Sequence, residues 1–307
     1  MQLKAVRKIP GFEKARIFRP GYAIEYDFFD PTELNRSLES KKVEGLFLAG
    51  QVNGTTGYEE AAGQGLVAGI NASLKLEGKE PFFMNRDESY IGVLIDDLIT
   101  KGVDEPYRMF TSRAEYRILL RQDNADARLT PKGWKLGLIN DDRYDVFLRK
   151  QEDIESLINY CNDYIVKPGE IDDYLISVGS RPVSVASKLG TIVSRPDVSL
   201  SSVAAAIEPL RRVVEGIGVP LEEVLESAEI AVKYEGYIRR EQQEAEKMHR
   251  LEAIRIKGRF DYPTISQIST EGRQKLARFN PDTLGQASRI PGVSPSDINV
   301  LLVLMHR

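Results

Sequence analysis

The spacing of apolar residues divides the chain into three regions. In residues 1–85, an apolar run at 46–49 lies between two glycines and predicts a short buried strand. The aromatic and branched residues of 18–29 predict extended chain with a Pro-Gly turn. Small residues follow the strand, and a helix is predicted from about Tyr58 to Leu76. The first region therefore predicts a strand, a glycine-rich loop and a helix.

Residues 86–225 show mainly helical spacing that is interrupted at prolines. Pro106, Pro131 and Pro168 predict the breaks, because proline within a helix removes a hydrogen bond and clashes with the preceding turn. The predicted helices lie at 90–99, 112–120, 131–136 and 142–160.

Residues 226–307 have helical spacing throughout. A long, charged, amphipathic segment at 226–254 precedes three short helices. Each short helix is predicted to begin after a polar cap residue, namely Ser269, Asn280 or Ser294, and the last two caps are followed by proline. The last predicted helix is apolar on most faces, which indicates burial in a small core, cover by a partner, or both.

Composition places the chain among ordinary globular proteins. Its 307 residues are 42% hydrophobic and 29% charged, which allows about two domains. The net charge of -4 means that any surface for nucleic acid has to be a local patch. No apolar stretch approaches the length of a membrane span, and the first residues do not resemble a signal peptide.

Few side chains suit redox or metal chemistry. Cys161 is the single cysteine, so an intramolecular disulfide is impossible, which fits a reducing cytoplasm. We expect Cys161 to pack as a small hydrophobe behind an amphipathic run. His249 and His306 lie far apart in the sequence and lack ligand-like neighbours. The sequence therefore predicts neither a metal site nor a histidine triad.

The stretch after the predicted strand, AGQVNGTTGYEEAAGQG, is rich in glycine, and we call residues 50–57 the glycine loop. Gly50, Gly54 and Gly57 have the spacing G-x-x-x-G-x-x-G, which is not the dinucleotide fingerprint. The helix that begins behind the loop offers free N–H groups and a positive dipole end to an anion. Glycine content alone, however, favours a tight turn packed against a neighbouring sheet.

Residues 106–121, PYRMFTSRAEYRILLR, form a basic stretch that we call the arginine segment. Arg113, Arg117 and Arg121 recur every four residues, which predicts one face of a capped helix with Arg108 just before it. Four arginines against one glutamate give a local charge of +3. Guanidinium groups suit phosphate oxygens, and the interleaved tyrosines suit unstacked bases.

The alternative for the arginine segment is a solvated helix face that pairs with nearby carboxylates. Asp96, Asp97, Asp123 and Asp126 are the candidate partners. On the residues alone this alternative is slightly favoured.

Several long strings resemble the MnmG family, also called GidA. The string AGQVNGTTGYEEAAGQG is similar to the second flavin-contacting motif of that family. RPGYAIEYDFFDP and DEPYRMFTSRAEYRILLRQDNADARLTPKGWKLGL resemble the same family, and YEGYIRR and LGQASRIPGVSPSDI resemble its carboxyl-terminal part. The motifs are long and occur in the family's order, so chance similarity is implausible. The resemblance is to the carboxyl-terminal half of the family's chain.

This resemblance implies an α/β FAD-binding domain remnant followed by all-α helical carboxyl-terminal domains. Residues 1–85 would be the last part of a split FAD-binding domain, residues 86–225 a mainly helical domain that faces tRNA, and residues 226–307 a helical domain that docks a partner. The family's glycine fingerprint and catalytic cysteine are absent from this sequence. We therefore expect no catalytic residue in this chain, weak FAD binding and no activity by the chain alone.

The resemblance also implies which residues contact cofactor and substrate. Four arginines are expected to include tRNA contacts, namely Arg108, Arg113, Arg117 and Arg121, although we do not expect all of them to touch RNA. The implied FAD contacts are Gly50, Gln51, Asn53, Gly54, Thr55, Gly57, Tyr58, Glu59 and Ala61.

The implied reaction modifies C5 of the wobble uridine of certain tRNAs. Reduced FAD, regenerated by NADH, joins a one-carbon unit from methylenetetrahydrofolate to the base, and glycine or ammonium completes a carboxymethylaminomethyl or aminomethyl group. The implied assembly is a homodimer that joins the GTPase MnmE as a heterotetramer. Two alternatives remain open: a fragment of a flavin oxidoreductase that acts on a small molecule, and a non-catalytic RNA-binding or docking module.

Overall fold

The computed structural model describes residues 1–22 and 25–305, and helices dominate it. Strands β1 (Ile165–Val166) and β2 (Ser187–Lys188) form an antiparallel pair, which is the only sheet among the described residues. Short 3-10 turns occur at Pro31–Glu33, Gly50–Asn53, Thr111–Arg113 and Tyr262–Thr264. The α-helices are α1 (Gln2–Val6), α2 (Tyr58–Leu76), α3 (Tyr90–Lys101), α4 (Ala125–Lys135), α5 (Asp141–Asp163), α6 (Asp172–Ser177), α7 (Leu189–Val193), α8 (Leu200–Ala206), α9 (Glu208–Glu215), α10 (Leu221–Glu252), α11 (Thr270–Phe279), α12 (Leu284–Arg289) and α13 (Pro295–Met305). Within the described part of the chain, no helix combines the length and the apolar character that crossing a membrane requires.

Helices α2 and α3 pack together and form a small first core. Leu38 and Val67 are fully buried there, and Ile95 of α3 joins them. Helix α3 begins at Ser89, whose side chain accepts a hydrogen bond from the N–H of Gly92. The helix predicted at 58–76 is confirmed, because α2 has these bounds.

The prediction of a buried strand at 46–49 is wrong. Phe47 forms a single bridge with Glu39, and Leu46 is exposed. Among the described residues, the backbone of residues 46–48 pairs only with residues 38–40, and the segment stays partly exposed, so an isolated bridge forms instead of a buried strand. The extended segment predicted at 18–29 has no regular secondary structure where it is described, and it includes Ala23 and Ile24, which lie outside the described residues.

A second core lies among α5, α7, α8 and α10. Leu157, Cys161 and Leu210 are completely buried in it. Burial raises the pKa of the Cys161 thiol to about 11, because the thiolate would lose its hydration. The expectation that Cys161 packs as a small hydrophobe is therefore confirmed.

A third core joins the last three helices to the end of α10. Leu276, Leu284 and Leu301 are fully buried in it. The side chain of Asp297 accepts hydrogen bonds from the N–H groups of Ser269 and Ser294, which ties the starts of α11 and α13 together. Burial opposes the charge of Asp297, but these hydrogen bonds hold its pKa below the ordinary value.

Two predicted helix boundaries are wrong. Asn280 ends α11 in the left-handed conformation, and Thr283 caps α12 instead by accepting from the N–H of Gln286. Asparagine tolerates that conformation, so the same residue that is able to begin a helix ends one here. Pro131 lies inside α4.

Helix α4 continues through Pro131 because side chains on both sides are anchored. Arg128 donates to the backbone carbonyl of Glu88, and Lys132 pairs with the Glu88 carboxylate at 3.0 Å. Trp134 Nε1 donates to Asp141 at 2.8 Å. These contacts hold the helix on both sides of the proline, whose cost within a helix is about 3 kcal/mol.

The long predicted segment at 226–254 is α10, which begins five residues earlier at Leu221. Its first turns belong to the second core through Val224, Ala228 and Val232. The boundary predicted between residues 225 and 226 therefore falls inside a helix, and the three-part division of the chain stays a prediction.

Candidate functional site

The glycine loop is a tight turn that α2 braces from behind. Gly50 and Gly54 have φ angles of +86° and +80°, which favour glycine. Gln64 of α2 accepts from the N–H of Gly50 at 3.1 Å and from Asn53 Nδ2 at 2.8 Å, and it donates to Thr55 Oγ1 at 3.0 Å. Gln64 is fully buried. One side chain, which the sequence analysis did not single out, therefore holds three residues of the loop.

The predicted FAD contacts separate into two groups in the structure. Gln51, Tyr58 and Glu59 are exposed, and Tyr58 has 93% of its surface open to solvent. Asn53 and Thr55 point into the loop and brace it. The oxygen Oδ1 of Asn53 is nevertheless buried without a donor among the described residues.

Gly50 and Ala61 mark the close contact between the loop and α2. A Cβ added to Gly50 would lie 3.3 Å from the Cβ of Ala61, which is tighter than ordinary packing. The backbone of the glycine loop therefore approaches the helix surface directly.

Helix α2 begins at Gly57 without a side-chain cap. Its first N–H groups are thus available to a ligand, and they form the positive end of the helix dipole. An ideal Cβ on Gly57 would lie 1.6 Å from Glu60 Oε2. In its observed position, the Glu60 carboxyl group occupies the space that a side chain at residue 57 would need.

Glu60 connects α2 to the arginine segment and is 97% buried, with 3% of its surface exposed. Its Oε1 accepts a hydrogen bond from the backbone N–H of Met109 at 2.7 Å. Its Oε2 is buried without a donor among the described residues. Sequence reasoning chose the exposed neighbour Glu59 and missed Glu60, although Glu60 holds the third helical position, where a glutamate often interacts with the start of its helix.

The helix predicted for the arginine segment is wrong. Only a 3-10 turn, Thr111–Arg113, forms there, and Ala114 is extended. Ala114 and Leu120 pack against Val93 of α3, and Arg86 donates to the carbonyl of Arg113. These tertiary contacts outweigh the helical spacing, so the arginines do not share one helical face.

Two of the four arginines are held by contacts within the protein. Arg113 stacks over the ring of Tyr107 at 4.3 Å, and its Nε donates to the carbonyl of Arg108 at 2.8 Å. Arg121 pairs with Asp123 through Nε at 2.9 Å and Nη2 at 3.0 Å. The alternative prediction, pairing with nearby carboxylates, is therefore correct for Arg121.

The other two arginines are open to solvent. Arg117 is exposed and forms no salt bridge with the described residues. The Arg108 side chain is 52% exposed, and its Nε lies 3.8 Å from Glu60 Oε1. Arg113 is exposed as well, but its Nε is already bound, so Arg108 and Arg117 are the exposed arginines with the fewest contacts to the described residues.

Backbone pairing joins the glycine loop to the arginine segment. The N–H of Tyr107 donates to the carbonyl of Gly54 at 2.8 Å, and Thr55 forms a parallel bridge with Tyr107. The Tyr107 hydroxyl donates to Asp97 at 3.0 Å, so burial and the Asp97 charge both raise its pKa. Two stretches that are about fifty residues apart in sequence are therefore parts of one surface.

A cavity of about 220 Å³ opens beside this junction. Its walls come from the glycine loop on one side and from Val103 to Pro106 on the other, with Tyr26 and Phe28 at the edge. The exposed side of the loop therefore faces a concave surface directly before the arginine segment.

A buried ion cluster supports the arginine segment from below. Arg86 pairs with Asp96 at 3.0 Å, with Asp97 at 2.7 Å and with Glu115 at 2.7 Å. Burial opposes the charge of Asp97, but Arg86 holds its pKa below the ordinary value. Asp96 also lies 2.9 Å from Arg289 of α12. Asp96 and Asp97 were considered as partners of the four arginines, and they pair with Arg86 and Arg289 instead.

Three family models match the chain in consecutive parts. Residues 1–80 match "Glucose inhibited division protein A", and residues 141–242 match "tRNA modifying enzyme MnmG/GidA C-terminal helical domain". Residues 244–307 match "tRNA modifying enzyme MnmG/GidA C-terminal helical bundle". The arginine segment lies between the matched parts.

Curated relatives match the whole chain. A protein of Parabacteroides distasonis named "tRNA uridine 5-carboxymethylaminomethyl modification enzyme MnmG" is 58% identical, and the match covers 100% of this chain and 49% of that protein. A protein of the same name from Phocaeicola vulgatus is 56% identical, with the same coverage of both. The chain thus spans about half the length of the curated relatives it matches.

A solved structure has the same fold. GidA of Aquifex aeolicus, in its form II crystal, matches with a TM-score of 0.74 and 46% identity over 100% of this chain and 47% of that one. The predicted class, an FAD-binding remnant followed by helical domains, is confirmed by this neighbour and by the matched helical models. The motif resemblance is likewise confirmed, and the chain belongs to the MnmG/GidA family.

Proposed function

We propose that this chain is part of an FAD-dependent enzyme that adds a carboxymethylaminomethyl or aminomethyl group to C5 of the wobble uridine of certain tRNAs. The names of its relatives motivate the substrate. The observation that carries the proposal is the pairing of Thr55 with Tyr107, which brings a ligand-ready loop beside exposed arginines.

The glycine loop fits one side of a flavin. The uncapped start of α2 offers N–H groups, and the exposed Gln51 and Tyr58 flank them. Buried acceptor atoms without donors, Asn53 Oδ1 and Glu60 Oε2, also fit a site that a ligand completes. When bound, FAD in its NADH-reduced form would supply the electrons needed to attach a one-carbon unit from methylenetetrahydrofolate to the uridine. The dipole of α2 favours negative charge at that edge of the site.

The arginine segment is proposed to bind the tRNA backbone. Arg108 and Arg117 contact phosphates directly, since their guanidinium groups are exposed. Arg113 stacks on Tyr107 and Arg121 pairs with Asp123, and these contacts maintain the conformation of the segment. All four remain candidates for RNA contact, with the first two expected to contribute most.

The test compares Arg108→Ala/Arg117→Ala with Arg212→Ala in the full-length protein. Arg212 is an exposed arginine on α9 and serves as the control for loss of charge. We expect the double variant to bind tRNA more weakly and its salt slope to fall by about 0.7–0.9 per lost contact. FAD content should stay normal. Unchanged affinity and salt slope in the double variant would show that the segment does not bind RNA.

Residues 226–307 are proposed to dock the GTPase MnmE, in an assembly built on a homodimer in the cytoplasm. Helix α13 supports this, because Leu301 is buried while Val303 is exposed on the same helix. Val303→Asp should weaken pull-down of the GTPase without lowering Tm, because it alters only the exposed side. Undiminished pull-down would place the docking surface elsewhere.

A further inference from the structure

Glu60 is an unusual residue for the interior of this fold. A buried carboxyl group is costly unless its oxygens are paired, and Glu60 Oε2 has no donor among the described residues. Gly57 has to lack a side chain to make room for it. An apolar or amide residue would fill the same volume at a smaller cost, so stability alone does not explain a glutamate here.

The carboxyl group does not cap its own helix. A glutamate at the third helical position commonly accepts from the N–H of the cap residue. Glu60 Oε1 accepts instead from Met109, in the arginine segment, and no hydrogen bond from Gly57 N–H to Glu60 is present. The group is therefore directed toward the segment that carries the exposed arginines.

Arg108 has one backbone contact and one side-chain contact. Its carbonyl accepts from Arg113 Nε at 2.8 Å. Its own Nε lies 3.8 Å from Glu60 Oε1, which is an electrostatic contact beyond hydrogen-bond distance. The guanidinium group is a planar fork with donors on two sides, so attraction at Nε leaves the terminal nitrogens to a second anion. The half-exposed side chain agrees with that arrangement.

We propose that Glu60 is a positioning residue that orients the Arg108 guanidinium group for a tRNA phosphate and ties that contact to the glycine loop. This inference rests on the proposed function. The carboxyl group attracts Nε, limits the rotamers of a long flexible side chain and lowers the entropy lost when phosphate binds. Because Glu60 lies in the first turn of α2, the position of Arg108 is tied to the loop that faces the cofactor.

The test is a double-mutant cycle of Glu60 and Arg108 in the full-length protein with saturating FAD. Glu60→Gln keeps an acceptor for Met109 N–H and removes the charge that faces Arg108. Glu80→Gln, at an exposed glutamate just beyond the end of α2, is the matched control. We measure tRNA affinity and its salt slope for Glu60→Gln, Arg108→Ala, the double variant and the control, with Tm recorded for each.

We expect Glu60→Gln to weaken tRNA binding by about 3- to 10-fold and to lower the salt slope toward that of Arg108→Ala, where about one contact is lost. It should cause no further loss in the Arg108→Ala background, because it acts through that side chain. Tm should not fall, because the amide costs less to bury than the carboxylate, and Glu80→Gln should behave as wild type.

Two results would overturn the inference while the proposed function stands. One is wild-type affinity in Glu60→Gln alongside weakened binding in Arg108→Ala. The other is an equal loss from Glu60→Gln in both backgrounds, which indicates an effect on the fold. If neither Arg108→Ala nor Arg117→Ala changes tRNA binding, the RNA role of the segment fails and the inference fails with it.

Discussion

Several large apolar side chains of residues 1–85 are exposed to solvent, whereas those of the second core are buried. In the second core, Leu157, Leu175 and Leu210 are completely buried by helices of the same chain. In the first region, Phe18, Tyr58 and Leu76 are almost fully exposed. The second core is closed by helices of the same chain, whereas the first region leaves these three side chains open to solvent.

The difference explains why the candidate site lies where it does. The glycine loop and the arginine segment occur at the margin of the open region, braced by Gln64 and by the Arg86 ion cluster. The relatives are about twice as long as this chain. We therefore expect the flavin site to be completed from outside these residues.

The largest contrast is expected between Leu157→Ala and Leu76→Ala. Leu157 is fully buried on α5, so truncation leaves a cavity and should lower the free energy of unfolding by about 2–5 kcal/mol. Leu76 is 91% exposed at the end of α2, so the same change should cost less than about 0.5 kcal/mol. Denaturant unfolding of this chain, followed by circular dichroism, measures both.

A third variant, Leu66→Ala, sharpens the comparison when it is measured in both this chain and the full-length protein. Leu66 is half-exposed on the open face of α2. Leu66→Ala should cost more in the full-length protein than in this chain, because the missing part covers that face. Equal costs for Leu157→Ala and Leu76→Ala, or equal costs of Leu66→Ala in both proteins, would contradict the distinction between a closed and an open region.

A smaller effect is expected from Gly57→Ala, compared with Gly65→Ala on the same helix. The new methyl group would collide with Glu60, which should cost about 1–3 kcal/mol and lower FAD content in the full-length protein. Gly65 has open space around its Cβ position, so alanine there should be neutral or stabilising by up to about 1 kcal/mol. Thermal unfolding and flavin absorbance measure both.

Adding Glu60→Ala to Gly57→Ala tests the cause. If the collision is the reason for the loss, the double variant should recover much of the stability. A double variant that is no more stable than Gly57→Ala would mean that Gly57 is needed for backbone reasons or for the ligand alone.

Local signals predicted a large part of the fold. Ser269 and Ser294 were recognised as helix caps, and their helices begin where the caps predict. The apolar spacing of 58–76 and the buried environment of Cys161 were also predicted correctly. These features depend on residues within a few positions of each other, so the sequence contains their causes.

The errors arose where distant residues decide the local structure. The spacing of Arg113, Arg117 and Arg121 predicts a helix, but Arg86 and Val93 hold that stretch in a different shape. Glu60 was not chosen because its role depends on Met109, which lies far along the chain. Pairing between such segments leaves no periodic signal in either one.

The central claim is that the glycine loop and the arginine segment form one surface for cofactor and tRNA. A photo-crosslinking amino acid at Tyr58, in the full-length protein with FAD and tRNA, tests it most directly. A second probe at Phe110, in the arginine segment, and a control at Tyr237, exposed on α10, complete the set. The account predicts that the probes at Tyr58 and Phe110 crosslink to the same stretch of the anticodon loop, while Tyr237 does not. Crosslinks from Tyr237 to the anticodon loop, with none from Tyr58 or Phe110, would contradict it.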